Sequence, residues 1–201
     1  MSQVEFIGFD EPRITTSQQW SQYLTIAWGG VALLIVLNVR GAVLSATSTY
    51  VNNEVGIVAS YPEAWLLDEI GADYVFRVRD MQRLGFKTTF QVSLRPVSAE
   101  TSPRTVVDTL AMQRAQTLAA YTILSTQPFP LSEDPDAQQI TYTYVDTATN
   151  PFLESIPTVV VGIDIVAISG GQTIVMTLLS DAESLEINRE RFSAFVDQLE
   201  F

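Results

Sequence analysis

The chain has 201 residues, 47% of them hydrophobic and 10% aromatic, enough to build one ordinary domain with an appendage and too apolar for a disordered polymer. Its 23 acidic and 11 basic residues give a net charge of −12, which argues against nucleic acid as a partner, because phosphate binding needs clustered cations. With neither Cys nor His, the chain excludes disulfides, thiolate and imidazole metal sites, His-ligated haem, Cys nucleophiles and Ser-His catalysis.

Residues 1–19 show no hydrophobic period and read as an N-terminal tail. Residues 20–46, WSQYLTIAWGGVALLIVLNVRGAVLSA, read as one uncleaved transmembrane helix. The apolar run Leu24–Leu37 is short for a span, and the flanks, with Trp20 and Tyr23 as interface anchors, extend it to the roughly 20 residues a bilayer needs. The acidic tail before it is unlike the short basic start of a signal peptide. Ala27 and Gly30 fall on one helical face, where small residues let a second helix approach. Asn38 and Arg40 are awkward in lipid, an arginine at mid-bilayer costing about 2.5–3.5 kcal/mol on insertion scales. Trp20, Ala27, Trp28, Gly30, Asn38 and Arg40 are therefore the candidate partner contacts. The partners implied are the bilayer and other membrane subunits. The positive-inside rule does not orient the span, since Arg13 and Arg40 lie on opposite sides of it.

Residues 47–53, TSTYVNN, read as a polar linker, and residues 54–201 as a folded domain carrying −11 of the net charge. Its pattern is α+β, an antiparallel sheet packed with helices. Short strands are predicted at Gly56–Ser60, turned by Tyr61-Pro62, and at Trp65–Leu67. Tyr74–Arg79 and Phe86–Leu94 alternate, the latter placing Phe86, Thr88, Phe90, Val92 and Leu94 on one face and Lys87, Thr89, Gln91 and Ser93 on the other. Ser102-Pro103 then opens a helix with Val107, Leu110, Ala111 and Leu118 at helical spacing. Strands follow at Tyr121–Ser125 and Gln139–Asp146. Two β-branched runs, Thr158–Ser169 and Thr173–Leu179, meet across Gly170-Gly171, a pair suited to a two-residue hairpin. A final helix is predicted from a Ser180/Glu183 capping box, with Leu185, Phe192, Phe195, Val196 and Leu199 as its apolar stripe.

This element order, with Ser60-Tyr61-Pro62-Glu63-Ala64-Trp65 at its start and the glycine hairpin and helix at its end, resembles the PsbP-like fold family over residues 56–201. That family includes the extrinsic lumenal protein of photosystem II, a Ran-binding nuclear relative and many bacterial envelope proteins. The resemblance implies an α/β/α sandwich lying outside the cytoplasm. The metal-binding histidines of the photosystem II member have no counterpart in a chain without His, so the resemblance transfers no site residue.

No catalytic constellation is evident. Lys87 is the sole lysine and lacks an SxxK context; Glu133, Asp134 and Asp136 lack the spacing of an EF-hand loop; Arg77, Arg79 and Arg83 read as an exposed mixed-charge patch. The expected function is that of a non-catalytic, single-pass accessory subunit of a respiratory or photosynthetic membrane complex, without a cofactor. The alternative is a membrane-anchored envelope module that binds a small ligand or peptide, and a carboxylate-only hydrolase ranks third.

Overall fold

The computed structural model describes residues 16–44, 46–69, 71–83, 85–98, 100–147 and 157–201. The chain divides into two compact units, residues 1–45 and 46–201. The first contributes one helix, α1 (Thr16–Leu44). Its Trp20–Leu37 window has a mean hydropathy of 1.5 with none of it buried, long and apolar enough to cross a membrane. Most of the expected tail lies outside the described residues.

The second unit holds strands β1 (Thr47–Asn52), β2 (Ile57–Pro62), β3 (Leu66–Asp68), β4 (Phe76–Arg79) and β5 (Thr89–Pro96), then helix α2 (Pro103–Thr117). Strands β6 (Ala119–Pro128), β7 (Gln138–Asp146), β8 (Thr158–Ser169) and β9 (Gln172–Asp181) follow, and α3 (Leu185–Asp197) closes the chain. Seven strands form one antiparallel sheet in the order β3-β4-β5-β9-β8-β7-β6, and β1-β2 is a separate hairpin. Helix α3 and the hairpin bury one face of the sheet and α2 lies on the other, so the domain is the expected sandwich.

The face under α3 is dry and aromatic. Phe76, Val78, Phe90, Val92, Met176 and Leu178 pack against Phe192, Phe195 and Val196 of α3. Phe90 is the hub, with the rings of Trp65, Phe192 and Phe195 centred 4.6, 5.3 and 5.4 Å away. The Tyr-Pro-x-x-Trp segment is thus a packing device, since Tyr61 and Trp65 are both buried in this core. Residues Val58 and Glu200 exchange two backbone hydrogen bonds of 2.9 and 3.1 Å, tying the chain's end to β2.

Several expectations require correction. Residues 47–52 are no linker: they form β1, register Tyr50 with Ala59, and bury Tyr50 against Phe76 at 4.5 Å. Alternation in Thr-Ser-Thr-Tyr-Val-Asn is masked because only one position in the strand is fully buried. Tyr61-Pro62 ends β2 instead of turning it. The proposed capping box fails because Ser180 lies inside β9, buried and accepting a 2.9 Å hydrogen bond from Asn188. The N-cap of α3 is Ser184, and its backbone N–H donates to Asp181 Oδ1 at 2.8 Å. By contrast, Ser102 caps α2 as expected, its hydroxyl accepting from the Thr105 N–H at 3.3 Å with Pro103 behind it. Gly170 and Gly171 take φ values of 57° and 76°, the positive values that a two-residue hairpin of this kind uses and that glycine adopts without strain.

Strand β6 is the exposed edge of the sheet and carries no charged residue. Two register shifts in its pairing with β7, the first beside Ala120 at φ 54°, twist it out of a flat ladder. Such irregularities discourage edge-to-edge pairing with other chains.

Candidate functional site

The α2 side of the sheet is built differently from the α3 side. Helix α2 packs chiefly on β6, β7 and β8. Val107 and Leu110 are buried there with Ile140, Tyr142, Val160 and Val166. Beyond the helix edge, β5 and β9 present Gln91, Ser93 and Thr177 on this face. Strand register explains the polarity: Asp68, Arg77, Gln91, Thr177 and Asp164 pair in succession across β3, β4, β5, β9 and β8. A polar row therefore runs across the sheet and ends beneath α2.

Asp164 is the anchor of that end. It is 0% exposed and is the one charged residue of β8, flanked by Ile163 and Ile165. Arg114 of α2 reaches down to it in an ion pair, and its guanidinium also lies over the Tyr142 ring at 4.5 Å from the centroid. Tyr142 Oη stands 3.5 Å from the other carboxylate oxygen. A buried carboxylate needs such a partner, because desolvation without one is strongly unfavourable. The Tyr142 ring occupies the space above Gly162, where any Cβ would overlap it. It also packs on Tyr121 and Tyr144 at 5.3 and 6.4 Å.

Two adjoining cavities open beside this group. One, of about 220 Å³, is lined by Arg95, Gln113, Leu110 and Val175 among others; the second, of about 240 Å³, reaches Tyr142 and Tyr144. Gln91, Arg114, Thr117 and Thr177 line both. Burial pushes the Tyr142 phenol up to about 12, with Arg114 opposing and Tyr121 adding to the shift. Burial likewise raises Tyr144, and Tyr121 to a lesser degree against the pull of Arg114. All three are neutral hydroxyls at physiological pH. Because their folded values lie above the free phenol value, the stability they contribute is intact below pH 10 and is lost as pH rises through the raised values, about 12 for Tyr142. A spectrophotometric titration of the folded chain should show these phenols ionising late, together with alkaline unfolding; release of all seven tyrosines near pH 10 in a folded chain would contradict it.

The residues singled out in the sequence lie elsewhere. Trp20, Ala27, Trp28 and Gly30 sit on α1, with Trp20 70% and Trp28 67% exposed. Asn38 and Arg40 are also in α1, but their side chains lie outside the described residues. Arg77 and Arg79 pair with Asp68 at 2.6 and 3.7 Å, and Arg83 with Asp80 at 3.7 Å, so the mixed-charge patch is a set of ion pairs. Lys87 donates to the Arg83 carbonyl. Asp134 is buried and accepts from the Ile168 and Asp136 N–H groups at 2.7 and 3.0 Å, which makes it a loop staple. Among the described residues no group of three or more acidic side chains is placed to hold a metal. The cleft beside α2 was missed. Its signal in the sequence is Asp164, a lone charge within twelve residues of strand.

No family model matches the sequence, and no curated protein matches it. Solved structures do match. The cyanobacterial PsbP protein CyanoP of Synechocystis superposes with a TM-score of 0.54 at 10% identity, covering 78% of this chain and 92% of that one. This chain has the PsbP-like fold. PA94 of Pseudomonas aeruginosa, a protein of unknown function, gives 0.51 at 10% identity over 78% and 98% of the two chains. LpqN of Mycobacterium tuberculosis, involved in cell envelope biogenesis, gives 0.51 at 13% identity over 77% and 89%. The compact unit of residues 46–201 includes β1, which precedes the Tyr-Pro-x-x-Trp segment.

Proposed function

We propose that the protein is a single-pass membrane protein whose PsbP-like domain serves, without chemistry of its own, as an accessory subunit of a larger membrane complex. The observation that carries this reading is α1. Its apolar side chains, Trp20 to Val39, are exposed along the helix, while the second unit buries a complete core of its own. A helix apolar on all sides belongs in lipid or against other helices. The small-residue face of Ala27 and Gly30 supports helix–helix contact, and an envelope protein among the structural neighbours supports an extracytoplasmic domain. The −11 charge of the domain would steer it toward basic partner surfaces in a salt-dependent way.

The test is fractionation of the native host. The full chain should stay in the pellet after a carbonate wash and, in mild detergent, migrate in an assembly larger than its own 22.2 kDa. Replacing Ala27 and Gly30 together by Leu should keep it in the pellet but reduce the assembly severalfold. Release by carbonate removes the membrane reading, and a monodisperse monomer in detergent removes the subunit reading. Protease added to right-side-out cells should clip the domain.

A further inference from the structure

The cleft beside α2 has a composition that the rest of this acidic domain does not share. Among the residues lining the first cavity, Arg95 and Arg114 are the cations and Asp73 the single acid. Around them stand uncharged hydrogen-bonding groups: Gln91 and Ser93 from β5, Thr177 from β9, Gln113 and Thr117 from α2. Leu110 and Val175 supply a short apolar wall. Arg95 is exposed at the rim, with its Nη1 3.4 Å from Gln113 Oε1, a long contact that an anionic oxygen could replace. Arg114 is held at the inner end by Asp164 and the Tyr142 ring, so its guanidinium is fixed in position before any ligand arrives. Preorganised donors of this kind lower the entropic cost of binding.

We propose that this cleft binds a small aliphatic carboxylate, its charged end between Arg95 and Arg114 and its short chain against Leu110 and Val175. The side-chain amides of Gln91 and Gln113 and the hydroxyls of Ser93 and Thr177 are the further donors to the carboxylate oxygens. A guanidinium is suited to a carboxylate because its forked donors match the two oxygens. Each cavity, at about 220 and 240 Å³, has room for a molecule of a few carbon atoms. Binding at this cleft is independent of whether α1 assembles with other subunits.

Equilibrium dialysis of the full chain in detergent with radiolabelled butyrate tests this. One saturable site per chain is expected, with butyramide, the same shape without the charge, unable to compete. Arg95→Gln removes a charge-assisted contact from an exposed position and should weaken binding about tenfold, with an unchanged thermal melt showing that the fold is intact. Arg104→Gln, exposed on the first turn of α2 and outside the cleft, should leave affinity within about twofold. Absence of a saturable site overturns the proposal. So does equal competition by butyramide, or a loss in Arg104→Gln matching that in Arg95→Gln, which would indicate general charge. Displacement of butyrate by an equal concentration of inorganic phosphate would also overturn it, since phosphate has no chain to place on Leu110 and Val175.

Discussion

Replacing Arg114 by Met should destabilise the domain by about 3–5 kcal/mol, because Asp164 would remain fully buried with its counter-ion gone. Against a typical domain stability of about 5–15 kcal/mol, that loss moves the denaturation midpoint far toward zero. The guanidinium also gives up its place over Tyr142, so packing and charge fail together. Charge is the larger part, and a second substitution separates the two. Arg114→Met with Asp164→Val removes the carboxylate and continues the β-branched run of β8, and should recover most of the loss. Urea denaturation of the two variants decides it. A single variant within about 1 kcal/mol of wild type, or a double variant no better than the single, would mean that the ion pair does not hold α2 to the sheet.

Gly162→Ala should cost about 1–3 kcal/mol, the usual range for overpacking a filled core. The added methyl falls on the Tyr142 ring, and that ring cannot swing away: it is 1% exposed, with Tyr121 and Tyr144 beside it and Arg114 above. Strands pair Gly162 directly with Tyr142, so the clash is between cross-strand neighbours on one face. Shrinking the neighbour should relieve it. In a double-mutant cycle with Tyr142→Leu, Gly162→Ala should become close to neutral, giving a favourable coupling of about 1 kcal/mol or more. Equal effects of Gly162→Ala in both backgrounds would show that the backbone, and not the ring, requires glycine.

The two predictions rest on a part of the molecule that the sequence reveals only obliquely. Elements with strong periodic patterns were legible: the alternation of Phe90 and Val92, the Ser102 cap, the Gly170-Gly171 hairpin and the α3 stripe all stand as expected. Boundaries slipped where burial is one-sided or partial. In β1 a single buried Tyr50 cannot advertise a strand, and in β6 nearly every residue is exposed, so its ends extend beyond the apolar Tyr121–Ser125 stretch. Ser180 read as a cap because Ser-x-x-Glu occurs by chance where a buried strand ends. The cleft was illegible for a topological reason. Asp164 and Thr177 meet in the β8-β9 hairpin, but Arg114 reaches them only when α2 docks on the sheet and Gln91 only when β9 inserts between β5 and β8. On the other side of the account, the α1 residues were legible as an apolar helix from hydropathy alone, since that property depends on no long-range pairing.

That insertion of β9 also sets the order in which the molecule can be made. Strands β3, β4 and β5 form an early meander, and β6, β7 and β8 a later one, yet neither contains the other's neighbour. The ladder joining them pairs Thr89 with Leu179 and Pro96 with Gln172. A ribosome adding about 5–20 residues per second takes several seconds to go from the end of β5 to the start of β9. Throughout that interval the edge of β5 is bare, and Phe90 and Val92, which α3 will later cover, face solvent or a chaperone. Long-range pairing of this kind carries its loop-closure entropy before it returns any burial. Helix α1 precedes the sheet in the chain and the strand that stitches it together comes late, so a nascent chain released before Gly171 carries α1 and never closes its fold.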